Sequence, residues 1–193
     1  MKSGVLFILI IALISCKSNE LHKNASIGKD AMKATLTSNS SITSDPRQYP
    51  YAATLKDLHQ REVKSNDVLV KKNQPTVVMF WLTTCGPCAR ELRSINDNFS
   101  EWQQQVPFNL VAMSEDRDEN FPAILERIRI EKWPFISYWD FNRDLLALMP
   151  TKYNGLPQTF IFDKNGKLTF SKRGYLPGDE TSIFEKIKEA AKS

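Results

Sequence analysis

Two cysteines separated by a Gly-Pro pair, Cys85-Gly86-Pro87-Cys88, stand at the junction of two sequence patterns, and that junction constrains the fold more than any other feature of the chain. Ahead of it runs Pro75-Thr76-Val77-Val78-Met79-Phe80-Trp81-Leu82, an unbroken β-branched and aromatic stretch expected of a central parallel strand covered on both faces. Behind it Cys88, Leu92, Ile95, Phe99 and Trp102 recur at helical spacing and mark one buried stripe, with Arg90, Arg93, Asn96, Asp97 and Glu101 on the opposite face. Pro87 suits the first turn of that helix, where its missing N–H costs nothing. Two cysteines so placed can close a disulfide with little backbone movement. The first lies at the positive end of the helix, where free N–H groups and the dipole favour the thiolate, and the second faces the core one turn further in. Cys85 is therefore expected to attack, or be attacked by, a partner, and Cys88 to resolve the mixed disulfide.

Two other readings of the pair need weighing. A lone Cys-x-x-Cys is often half of a zinc site, but His22 and His59 are far apart in sequence and Cys16 is the only further cysteine, so a set of four ligands is hard to assemble. A structural disulfide of an oxidising compartment would explain the two cysteines, but not the Gly-Pro between them or their place at a strand-to-helix junction.

The third cysteine has a separate fate. Lys2 and the apolar run Val5 to Ile14 read as the basic and hydrophobic parts of an export signal, too short to span a bilayer stably. The run ends in Leu13-Ile14-Ser15-Cys16, which resembles a bacterial lipobox and would leave Cys16 as a lipidated N-terminus held firmly by several acyl chains. Residues 16–50 are rich in Ser, Asn, Thr and Lys without a sustained period, and are expected to form a flexible tether between the signal peptide (1–15) and a folded domain (51–193). A formal charge of +4 with scattered positives gives no footprint for nucleic acid.

Within the domain, Ala53 to Val70 is read as a small β-hairpin. Phe108 to Met113 is a second buried strand, and Asn120-Phe121-Pro122 opens a helix to about Lys132 with Phe121, Ile124, Leu125 and Ile128 inward. A third strand is expected within Trp133 to Phe141 and a short helix over Arg143 to Met149. Thr159 to Phe162, a tight turn at Lys164-Asn165-Gly166, and Lys167 to Arg173 make an antiparallel hairpin. Asp179 is the expected N-cap of a last helix that turns Ile183, Phe184 and Ile187 inward. Strands alternate with helices, so the class is α/β with an at least partly parallel sheet.

This order, with Phe80-Trp81 ahead of Cys85-Gly86-Pro87-Cys88 and a Pro ahead of the hairpin, resembles the thioredoxin fold, and specifically the TlpA/ResA-like thiol:disulfide oxidoreductases, over roughly Ala53 to the C-terminus. The resemblance implies a central mixed sheet with helices on both faces, a redox-active Cys85–Cys88 disulfide, and no cofactor beyond that dithiol. It matches Pro157 with the family's cis-proline, so that Leu156 would offer its backbone to an extended substrate. It also matches Glu91 with the family's Glu in Cys-x-x-Cys-x-x-Glu, a carboxylate that could move the proton of the resolving thiol; the alternative is a solvated helix Glu paired with Arg90 or Arg93. Two positions depart from thioredoxins proper: Met79 replaces a buried Asp and Thr84 replaces a Trp.

By that resemblance the substrates are thiols or disulfides of exported proteins, for example in cytochrome c maturation, with electrons from a membrane donor. The chain is expected to work as a monomer in an extracytoplasmic, lipid-anchored place, facing the periplasm or the cell surface. A reductase is favoured, since Gly-Pro between the cysteines leans to the reducing end of the range. The rival from another class is a dithiol metallochaperone or binding module, since soft thiolates suit Cu(I), but no motif places a third ligand. A peroxiredoxin-type peroxidase is a third option, which Thr83-Thr84-Cys85 fits only loosely.

Overall fold

The computed structural model describes residues 52–69, 73–150 and 155–193, so the signal peptide and tether read in the sequence lie outside the described residues. In chain order the elements are β1 (Thr54–Lys56), β2 (Glu62–Lys64), α1 (Ser65–Val68), β3 (Thr76–Trp81), α2 (Gly86–Gln105), β4 (Asn109–Ser114), α3 (Phe121–Glu131), β5 (Ile136–Trp139), α4 (Asp144–Leu148), β6 (Gln158–Phe162), β7 (Leu168–Arg173) and α5 (Asp179–Lys192). The strands form one mixed sheet in the order β2-β1-β5-β4-β3-β6-β7. β3, β4 and β5 run parallel, whereas β6 and β7 on one side and β1 and β2 on the other are antiparallel to their neighbours.

Every residue of β3 and β4 is buried, as their unbroken apolar runs require of strands covered on both faces. The pleat sends Val77, Met79 and Trp81 to one face, where they pack with Cys88, Leu92 and Ile95 of α2, Phe121 and Ile124 of α3, and Ile183 and Ile187 of α5. It sends Val78 and Phe80 to the other face, against Leu145 and Leu146 of α4 and Phe160 and Phe162 of β6. Right-handed crossovers from β3 to β4 and from β4 to β5 place α2 and α3 on the same face.

The structure corrects four local readings. The β1–β2 hairpin stops at Lys64, and a single helical turn follows where the strand pattern had been extended to Val70. Leu125 is 39% exposed: it stands about 100° round the helix from Ile124, beyond the narrow stripe through which α3 meets the sheet. In the β6–β7 turn only Gly166 has positive φ (80°), and Asp163 closes the loop by accepting from Asn165 N–H and Lys167 N–H; this is a longer Asp-anchored turn and not a two-residue Asn-Gly turn. Gly178, not Asp179, is the N-cap of α5, because the Asp179 carboxylate is turned back to Lys172 and to Leu176 N–H.

Candidate active site

The C-terminal ends of the parallel strands carry the site, the place where open α/β sheets leave a crevice. Trp81 ends β3, Leu82 to Cys85 make a turn closed by Cys85 N–H donating to Leu82 O at 3.0 Å, and α2 begins at Gly86. Cys85 is the N-cap: its Sγ accepts from Cys88 N–H at 3.2 Å, so the first sulfur sits on a free donor at the positive end of a 20-residue helix. Cys85 and Cys88 are joined as a disulfide with their Cα atoms 5.3 Å apart. Their environments differ as the helical spacing suggests: Cys85 is half-buried and Cys88 is fully buried.

Glu91 lies one turn beyond Cys88 and is 0% exposed. This overturns the solvated alternative, and Arg93 is engaged elsewhere, by Glu131 on α3. The Glu91 Oε1 accepts from Thr159 Oγ1 at 3.4 Å, and Oε2 is buried without a hydrogen-bond partner. Burial pushes the carboxyl up to about 8, a rise that the nearby Lys172 charge and the Thr159 hydroxyl only partly oppose. Thr159 is the cross-strand partner of Met79, so Glu91 brings a carboxyl from the helix to the row of the sheet where Met79 supplies none.

Leu156-Pro157 is a cis peptide. The β3–β6 register pairs Phe80 with Gln158, and extending this antiparallel register carries Pro157 and Leu156 to the end of the sheet where Leu82 leads into the Cys85 turn. Leu156 is half-buried and packs against the cores of both faces, and Pro157 O accepts from Gly174 N–H at 2.8 Å. Cys16, the expected lipid attachment site, lies outside the described residues.

Sequence reasoning missed a second group of buried acids at the same end of the sheet. Asp116 Oδ2 accepts from Thr83 N–H at 2.9 Å and from Ser114 Oγ at 2.9 Å, while Oδ1 accepts from Thr83 Oγ1 at 2.6 Å. Glu115 is 2% exposed, and among the described residues neither carboxyl oxygen has a hydrogen-bond partner; it forms an ion pair with Arg143, whose Nε lies 3.6 Å from Oε2. Burial first, then the Asp140 charge, pushes Glu115 up to about 8. Asp140 is also buried and accepts from Leu145 N–H and Leu146 N–H at the start of α4. The available signal was Ser114-Glu115-Asp116 directly after a fully apolar strand, where polar residues meet the crevice and not open solvent.

Comparisons with known proteins agree with this geometry. The model of the AhpC/TSA family matches residues 47–171. The thiol-disulfide oxidoreductase ResA of Geobacillus thermodenitrificans (strain NG80-2) is 29% identical over 114 residues, which are 59% of this chain and 61% of that protein, so the chain spans about three fifths of that curated relative. Among solved structures, a thioredoxin-like protein from Porphyromonas gingivalis matches with a TM-score of 0.64 at 30% identity, over 74% of this chain and 91% of its own. The thioredoxin domain of a thiol-disulfide oxidoreductase from Bacteroides vulgatus has the same fold, with a TM-score of 0.54 at 21% identity over 72% of this chain and 92% of its own. The mixed sheet with its appended helices is thus a thioredoxin-like fold.

Proposed function

The chain belongs to the AhpC/TSA family, and we propose that within it this protein is a thiol:disulfide oxidoreductase that reduces disulfides of exported proteins through Cys85 and Cys88. The observation that carries the reading is the asymmetry of the pair, a half-buried sulfur on a helix N-terminus beside a fully buried one. In the reduced protein the Cys85 thiolate attacks one sulfur of a substrate disulfide; an S–S bond forms between them and the other substrate sulfur leaves as a thiolate, which takes up a proton. Cys88 then gives its proton to the Glu91 carboxylate and attacks Cys85 Sγ, releasing the second substrate thiolate and closing Cys85–Cys88. Two electrons pass from the dithiol to the substrate, and a membrane donor restores the dithiol. No cofactor beyond the dithiol takes part.

Leu156 and Pro157 are assigned to the substrate, as the edge against which an extended segment around the reacting cysteine lies; their place beside the Cys85 turn in the strand register supports this. The protein works as a monomer outside the cytoplasm, tethered through a lipid on Cys16, and cytochrome c maturation is one process with substrates of this kind. Equilibrating the chain carrying Cys16→Ser with glutathione and dithiothreitol buffers, and trapping thiols by alkylation, measures the potential of the pair. A value near that of thioredoxin, about −270 mV, supports a reductase. A value near −120 mV reassigns the protein to disulfide formation, and a pair that never opens leaves only a structural disulfide. With Cys88→Ala, a mixed disulfide between Cys85 and a model substrate should accumulate.

A further inference from the structure

The turn that presents Cys85 is held from three sides. Its closing bond, Cys85 N–H to Leu82 O, is local, but Thr83 inside it is tied to distant elements. Its N–H and its hydroxyl both donate to the Asp116 carboxylate beyond β4, at 2.9 and 2.6 Å, and its carbonyl accepts from Arg127 Nη2 on α3 at 3.4 Å. Asp116 is itself fixed by its neighbour: Ser114 Oγ donates to Asp116 Oδ2 and accepts from Asp116 N–H. Arg127 is shared with Glu131, which also binds Arg93 of the active-site helix. Every polar group of Thr83 thus has a partner that is remote in sequence, at a residue two positions before the nucleophile.

In the disulfide form the S–S bond itself keeps Cys85 at the helix end. Once reduced, the sulfur depends on the backbone at Leu82 to Cys85 to stay over Cys88 N–H, the donor that favours its thiolate. We propose that Thr83 and Asp116 are positioning residues for Cys85: their paired hydrogen bonds fix the turn so that the free sulfur remains on the helix N-terminus. This rests on the redox reading above only for its importance, since the position of a reduced thiol can be measured without turnover. Among the described residues the charged groups around the clamp are Glu115 from the end of β4, Asp140 and Arg143 from the region after β5, and Glu126, Arg127 and Glu131 from α3.

Geometry and charge make opposite predictions here. A negative charge at Asp116, bound two residues before the sulfur through Thr83, would disfavour the Cys85 thiolate, so Asp116→Asn would favour it if charge were what mattered. If Asp116 acts by holding Thr83, the same change disfavours it, and so does Thr83→Val, which removes no charge. The test is the pH profile of iodoacetamide alkylation at Cys85 in the dithiothreitol-reduced full-length chain, localised by peptide mass spectrometry. Thr83→Val and Asp116→Asn should each shift the profile to higher pH and slow alkylation at neutral pH by roughly three- to tenfold, since one unit is tenfold in thiolate. The double variant should shift no further than the larger single one, because both changes act on the one Thr83–Asp116 contact, Thr83→Val by removing its hydroxyl donor and Asp116→Asn by removing one of its two acceptors. Thr83→Ser, which keeps the hydroxyl, should behave as the parent. An unmoved profile in Thr83→Val, a downward shift in Asp116→Asn, or additive shifts would each overturn the proposal. Reduction of a model disulfide by the parent chain, run alongside, separates the two readings: if it fails, the redox function falls and the clamp is still judged on the alkylation profile.

Discussion

Glu91 stands one turn beyond Cys88 on α2 with its carboxyl buried, and burial lets it keep its proton up to about 8. Thr159 sits opposite Met79, and its hydroxyl meets Glu91 Oε1, so the acid lies against the sheet with its second oxygen unpartnered. An apolar surrounding disfavours the charged form, which is why the group is pushed up to about 8. In the proposed reaction Glu91 must be ionised to take the Cys88 proton. The step in which Cys88 resolves the mixed disulfide should therefore accelerate as pH rises through about 8. Glu91→Gln should remove that inflection and slow resolution by about a hundredfold, the low end of general-base contributions. Stopped-flow measurement of substrate thiol release against pH checks this, and a variant that kept the inflection would move the proton acceptor elsewhere.

At the scale of elements, helix faces decide what a substitution costs. Ile187 on α5 is 0% exposed and packs with α2 and β3 in one cluster, so Ile187→Ala should destabilise the protein by about 2–4 kcal/mol. Leu125→Ala on α3, at a position 39% exposed, should stay within about 0.5 kcal/mol, both read by urea denaturation. The same contrast explains what could be read without coordinates. The six-residue strands β3 and β4, the long α2 and the inward face of α5 were legible because burial on two faces or on one stripe leaves a dense apolar signal over many residues. Leu125 was misplaced because helical period gives the direction of the stripe but not its width, which depends on how closely α3 approaches the sheet. Asp179 was misread as a cap because Lys172, remote from it before folding, claims the carboxylate. Cys85 and Cys88 were legible from their spacing at a strand-to-helix junction, and Pro157 only through the family resemblance. Glu115, Asp116 and Asp140 were not, since acids after a strand look solvated until α4 and the turn at Thr83 close over them.

Among the described residues the sheet separates two apolar clusters, and three acids with raised proton affinity, Glu91, Glu115 and Asp140, are buried where its strands end or its helices meet it. Their common direction makes stability depend on pH in one sense. Glu91 and Glu115 hold a proton in the folded protein up to about 8, while unfolded they lose it near 4.5. Between those values the native state binds more protons than the unfolded one, so stability is full below 4.5 and falls as pH rises through 8. Both groups act in the same direction across that window. Acids held low by partners act oppositely: Glu131 beside Arg93 and Asp179 beside Lys172 stabilise the fold above their unfolded values, and that part is lost in acid. Stability should accordingly be greatest at about pH 5 and decline toward pH 8. Urea denaturation of the oxidised protein at intervals from pH 4 to 9 tests this, with Glu91→Gln and Glu115→Gln each removing one slope and their double variant flattening the curve further. A parent curve level between pH 5 and 8 would mean that water reaches these carboxyls and lets them ionise in place, which would also remove the reason for Glu91 to titrate near 8 in the reaction.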